Sequence, residues 1–193
     1  MVNKATFTPD EWTKVMESVM LTGMAVTAAD PSGLIGVLKE SMATGRNLLA
    51  ARSDPESNEL VRAVATDFAT SEGRHVAREG LKKTLQGSKA GDVAARSMAK
   101  LREVVSLVDQ KAPGDAAGFK IWLQHIAVGA AEAANEGGFL GFGGVQVSDA
   151  EKATLTELST ALGIQATAQA TAEPGSQKAP PGETTGPSTS GEG

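Results

Sequence analysis

A chain of 193 residues with 40% hydrophobic residues is long enough to bury a core within a single domain, and it contains no cysteine. Disulfides, thiolate metal ligands and a cysteine nucleophile are therefore excluded. The net charge of -5, with two tryptophans and no tyrosine, disfavours a dedicated nucleic-acid binder. No apolar run approaches the roughly 20 residues that span a bilayer, and no signal-peptide core opens the chain, so we expect a soluble, cytoplasmic protein without a membrane partner.

Proline-containing start signals divide the first third of the chain into three predicted helices. Residues 8–11, Thr-Pro-Asp-Glu, form a capping box with proline in the first turn. Apolar residues then recur at intervals of three and four after Trp12, which predicts an amphipathic helix ending near Ala29. Asp-Pro pairs at 30–31 and 54–55 predict the starts of a second and a third helix.

Four more helices follow in the pattern. One is predicted from near Glu72 to Leu85, one begins near Asp92, one is capped by Asp115, and the last begins with the Ser-Asp-Ala-Glu box at 148–151. From about residue 164 the chain is rich in Pro, Gly, Ser and Thr and too poor in apolar residues to offset its ordering entropy. The sequence therefore predicts an all-α bundle of about seven short helices over residues 8–163, with a disordered tail over 164–193.

Two distant segments read as partial copies of one motif. Residues 25–36 align without gaps on residues 130–141, with small residues before each turn and glycine and large apolar residues after it. Small residues let two helices approach closely, and glycine opens backbone conformations closed to other residues. We expect an internal pseudo-repeat, which either is purely architectural or brings the polar residues of both turns together.

The functional interpretation of this repeat is a weak divalent-metal site. Its candidate ligands are Asp30 in one copy, Asn135 and Glu136 in the other, and Asp149 and Glu151 at the next helix start. Such oxygen ligands suit calcium or magnesium, although the ligand spacing of an EF-hand loop is missing. The intervening glycines could instead cradle a phosphate, but no lysine follows them and the acidic residues would repel the anion.

The same residues carry a resemblance to a known family. The segment contains, in order, a helix that ends in Ala-Ala and an amide residue, several glycines, a Ser-Asp-x-Glu helix start and a leucine-rich helix that ends in Leu-Gly. This order of features resembles the tellurite-resistance TerB-like helical proteins. The resemblance covers residues 126–163 and, more faintly, 20–38. It implies an all-helical fold with internal symmetry and an acidic metal-binding cluster, whose matching positions are Asn135, Glu136 and Glu151. Asn135 stands where that family has aspartate.

The two histidines offer a different chemistry. His75 shares a helical face with Glu72 and Glu79, and Glu-x-x-His is a ligand pair of di-iron bundles. Such a site needs a second Glu-x-x-His, whereas the residue three positions before His125 is Trp122. We therefore expect His75 to be solvated and His125 to be packed at the edge of the core.

The third candidate is a basic segment. Residues 71–102 contain eight cationic and three acidic residues, an excess of five positive charges in a chain of net charge -5. Arg74, Arg78 and Lys82 follow one helix edge within it. This stripe is either an ordinary solvated face or a surface that binds an acidic partner, including the acidic face of another copy.

No catalytic triad order or nucleotide fingerprint is recognisable, so we expect no enzyme. The leading prediction is a non-enzymatic helical module for interaction or stress response, with the weak metal site at the two turns. The alternative is a metal-free domain that binds an acidic protein through residues 74–102. A helical hydrolase using His125 ranks last.

Overall fold

The computed structural model describes residues 2–28, 45, 48, 50–54, 57–135 and 149–164, with the backbone alone at 133–135 and 149–151. These residues form an all-α bundle, as predicted. Residues 50–53 are helical too, so seven α-helical segments and no strand occur in this part of the chain. The named helices are α1 (Pro9–Thr27), α2 (Glu59–Phe68), α3 (Ser71–Leu85), α4 (Val93–Lys111), α5 (Pro113–Asn135) and α6 (Asp149–Ala161), with 3-10 turns at Lys4–Thr6 and Ala90–Asp92.

The start of α1 follows the predicted capping box. The hydroxyl of Thr8 accepts a hydrogen bond from the Glu11 amide at 3.3 Å, and the Glu11 carboxylate accepts one from the Thr8 amide at 2.8 Å. Two otherwise unpaired amides are thereby satisfied, and Pro9 occupies the first turn, where no amide is needed. The helix ends at Thr27, two residues before the predicted end.

The third helix does not begin at Asp54-Pro55. The preceding helical segment still holds Asp54, whose amide donates to the Ala50 carbonyl at 2.9 Å. The start of α2 lies instead at Glu59, because the Asn58 side chain accepts the amide of Val61 at 2.8 Å. Asparagine is as good an N-cap as aspartate, and here it has the correct register for the buried stripe of α2.

Asp115 does not cap its own helix, contrary to the prediction. It lies inside the first turn of α5, which begins at Pro113, and it is buried. Its Oδ1 accepts the amide of Leu60 at 3.3 Å, and its backbone carbonyl accepts the side-chain amide of Asn58 at 2.8 Å. The carboxylate therefore satisfies an unpaired amide at the start of a different helix, α2.

The core is built around α1, which contacts all five of the other named helices. Ten of its 19 residues are buried, so α1 has little surface left to face water. The inner face of α5 packs against it through the predicted stripe, and Phe119, Leu123, Ile126 and Ala130 are fully buried. A central helix of this kind must enclose some of its polar side chains as well as its apolar ones.

Candidate functional site

The predicted metal ligands fall at the edges of the described chain. Asp30 and Glu136 lie outside the described residues. Asn135 is the last residue of α5, while Asp149 and Glu151 lie in the first turn of α6, and the side chains of these three are not described. Within the described ranges, no three His, Asp or Glu residues lie close enough to hold a metal ion. The metal site therefore stays a prediction.

The helices that carry the two copies of the motif do pack together. α1, which ends just before the first turn, contacts α5, which leads into the second. Ala25 and Ala130, the first aligned pair of small residues, are both fully buried. The turns themselves, at residues 29–36 and 136–141, lie outside the described residues, so their spatial relationship stays a prediction as well.

The basic segment divides into cations that hold the fold together and cations that face water. Arg74 belongs to the first group, since its guanidinium donates to the carbonyls of Phe68 at 3.0 Å and Ala69 at 2.8 Å. Arg96 does the same for the carbonyl of Gln86 at 2.9 Å. Both arginines satisfy unpaired carbonyls at a helix end, α2 in one case and α3 in the other.

Four exposed cations of the segment belong to α3 and the turn after it, while Arg96 and Arg102 are exposed on α4. Arg78, Lys82, Lys83 and Lys89, which we call the basic face, are all exposed. Lys82 lies 3.8 Å from the Glu79 carboxylate, but both side chains are more than half exposed, so this ion pair is weak. Within the described structure, the other three cations have no hydrogen-bond or ion-pair partner.

Both histidines are exposed. This confirms the solvated environment predicted for His75, but the prediction that His125 packs at the core edge was wrong. The buried stripe of α5 runs through Leu123 and Ile126, and position 125 turns away from it. His125 instead shares the outer face with Ile121 and Val128, which are 46% and 36% exposed.

One buried acidic residue was missed by the sequence reasoning. Glu17 in α1 is only 2% exposed, and its carboxylate accepts a hydrogen bond from the Thr84 hydroxyl of α3 at 3.1 Å. The neighbouring buried hydroxyls of Ser18 and Thr22 donate to carbonyls of α1 itself. Glu17 differs from them because its partner belongs to another helix.

Glycine at position 80 makes room for this carboxylate. A Cβ atom added to Gly80 would lie 2.7 Å from the Glu17 Oε2 and 3.1 Å from the Glu17 Cβ. The backbone of α3 therefore lies directly against the side chain of Glu17. A glycine on the inner face of α3, opposite an acidic residue of a central helix, is the sequence signal that would have revealed this contact.

Burial raises the pKa of the Glu17 carboxyl above its ordinary value. The hydrogen bond from Thr84 and the positive charges of Lys100 and Lys14 oppose that rise, while Glu103 adds to it. Lys100 is already engaged with Glu103, at 2.8 Å. Glu17 consequently has cations in its surroundings but no ion-pair partner among the described residues.

The comparisons with known proteins found no match: no protein-family model, no curated protein and no solved structure is similar to this chain. The resemblance to TerB-like proteins therefore stays a prediction. In the part of the chain that the structure describes, none of the helices combines the length and the apolar character needed to cross a bilayer.

Proposed function

We propose that this chain is a non-enzymatic, cytoplasmic interaction domain that binds an acidic protein segment through the basic face. The observation that carries the proposal is the contrast between cations within the same stretch of sequence. Arg74 and Arg96 donate hydrogen bonds to carbonyls at helix ends. In contrast, Arg78, Lys83 and Lys89 are exposed and have no partner among the described residues.

The charge distribution supports an acidic partner in particular. The excess of five positive charges in residues 71–102 leaves the rest of a chain of net charge -5 strongly acidic. Opposite charges on two surfaces accelerate their encounter, and like charges disfavour binding. A partner with clustered carboxylates would be attracted to the basic face and repelled elsewhere, which fixes the orientation of binding.

Charge reversal of the basic face tests this proposal. The wild-type protein and an Arg78→Glu/Lys82→Glu/Lys83→Glu variant are used as bait at low salt, and the captured acidic proteins are purified for affinity measurements. We expect wild-type binding to weaken with salt and the variant to bind at least about tenfold more weakly. Equal affinity of the two baits for the same purified proteins would overturn the proposal.

Two controls separate charge from shape and identify self-association. The variant Arg78→Lys/Lys82→Arg/Lys83→Arg keeps every positive charge and should retain binding. Sedimentation velocity shows whether the acidic surface belongs to another copy of the chain. In that case, the wild type will form a salt-sensitive dimer that the charge-reversed variant does not form.

A calcium or magnesium site at the two related turns is the second candidate. It is supported by the packing of α1 against α5, the helices that lead into those turns. The test is thermal unfolding with and without each metal ion, in the wild type and in Glu136→Ala/Glu151→Ala. A metal that binds the native state raises the melting temperature of the wild type alone. An absent shift, or an equal shift in the variant, would remove this candidate.

A further inference from the structure

Glu17 lies where three helices meet. Its own helix, α1, contacts both α3 and α4, which also contact each other. The carboxylate accepts a hydrogen bond from the Thr84 hydroxyl of α3 at 3.1 Å, and the backbone of α3 at Gly80 lies against it. At 2% exposure, the residue cannot replace these contacts with water unless the helices move.

The charges around Glu17 do not neutralise it. The charged groups that act on it are Lys14 on its own helix, and Lys100 and Glu103 on α4. Lys100 and Glu103 bind each other at 2.8 Å, so their fields partly cancel at the carboxylate. α3 contributes only the neutral Thr84 and Gly80. With respect to the described residues, an ionised Glu17 is therefore a buried anion that accepts one hydrogen bond, from a hydroxyl, and this raises the free energy of the folded state.

We propose that Glu17 is a proton-dependent latch between α1 and α3: the protonated carboxyl holds α3 in place against α1, and ionisation loosens that contact. α3 is the helix that carries the basic face, so the latch would set how firmly that surface is held. The latch concerns packing and does not depend on whether a partner binds the basic face.

The direction of the pH effect follows from the sign of the pKa shift. Because the pKa is raised in the folded state, the folded protein retains this proton at pH values where the unfolded chain has lost it. The stabilisation is fully present below the unfolded-state pKa and is lost as the pH rises through the folded-state pKa. The latch is thus closed in acid and open at higher pH.

The experiment compares the wild type with Glu17→Gln, which keeps the size of the side chain but cannot ionise. Urea unfolding is measured from about pH 4 to about pH 8, together with hydrogen exchange of the α3 amides. As the pH rises, we expect the stability difference to shift in favour of Glu17→Gln. After correction for the intrinsic pH dependence of exchange, the α3 amides should lose protection in the wild type alone.

The matched control is Glu79→Gln, which removes an exposed carboxylate from α3 but keeps Glu17, so its α3 amides should lose protection with rising pH as in the wild type. Parallel stability curves for wild type and Glu17→Gln, with unchanged α3 protection, would overturn the proposal. If Glu17→Gln does not fold, the titration of the Glu17 carboxyl is followed by NMR in the wild type. A carboxyl titrating at or below its ordinary pKa, with pH-independent α3 protection, would likewise overturn it.

Discussion

The indole Nε1 of Trp12 donates a 2.6 Å hydrogen bond to Oδ2 of Asp67, joining the first turn of α1 to the end of α2. The same carboxylate oxygen lies 3.2 Å from the Lys4 ammonium. Asp67 thus joins the end of α2 to two residues near the start of the chain, Lys4 and Trp12. Trp12 is 2% exposed whereas the Asp67 side chain is 21% exposed, so only the donor end of this hydrogen bond is enclosed.

Trp12→Phe should lower the free energy of unfolding by about 1.5–3 kcal/mol from the lost charge-assisted hydrogen bond, with a further loss from the smaller ring. The matched control is Lys4→Met, which removes a 57% exposed ammonium from the same oxygen. That change should cost less than about 1 kcal/mol. Urea unfolding measures both, and equal effects would contradict the assignment of Trp12 as the stronger contact.

The corner between α2 and α3 depends on a glycine. A Cβ atom added to Gly73 would collide with the backbone carbonyl of Asp67, which cannot move as a side chain can. Gly73→Ala should therefore lower the melting temperature clearly. Among the residues that the structure describes, no atom lies within 4 Å of a Cβ added to Gly23 in α1, so Gly23→Ala should stabilise the protein by about 0.5–1 kcal/mol. A stabilising effect of Gly73→Ala would contradict the close contact between Gly73 and the Asp67 carbonyl.

Substitution of Arg74 should affect stability, and substitution of Arg78 should affect binding, although both residues follow one helix edge. Arg74→Ala loses hydrogen bonds to two carbonyls at the end of α2, so we expect a cost of about 1–3 kcal/mol. Arg78→Ala should change stability by less than about 0.5 kcal/mol but weaken binding of an acidic partner. Unfolding and binding measurements on both variants check this division, and the reverse pattern would contradict it.

Glu11 should show the opposite pH dependence from Glu17. The backbone amide of Thr8 lowers the pKa of Glu11 most, with help from Lys111, while partial desolvation opposes the effect. The folded-state pKa is depressed, so the stabilisation is present above the unfolded-state pKa and is lost as the pH falls through the folded-state value. The stability advantage of the wild type over Glu11→Gln should shrink in acid. A wild-type advantage over Glu11→Gln that stays constant as the pH falls would contradict this assignment.

Local signals could be predicted because they depend on residues that are close in sequence. The capping box joins Thr8 and Glu11, which are only three residues apart, and it formed as expected. The stripe of α5 through Phe119 and Ile126 repeats with the period of a helix, so it identified a buried face correctly. The helical period does not indicate that the Asp115 carboxylate accepts a hydrogen bond from the Leu60 amide of α2.

By itself, the sequence determined the all-helical class, most helix starts and the apolar faces, because capping and periodicity act over a few residues. Only the tertiary structure decided that Glu17 is buried, that Arg74 donates hydrogen bonds to carbonyls at the end of α2, and that His125 is exposed. Each of these depends on which helices surround α1 and on how α2 and α3 meet. Those relationships arise from packing between distant parts of the chain, which no local pattern records.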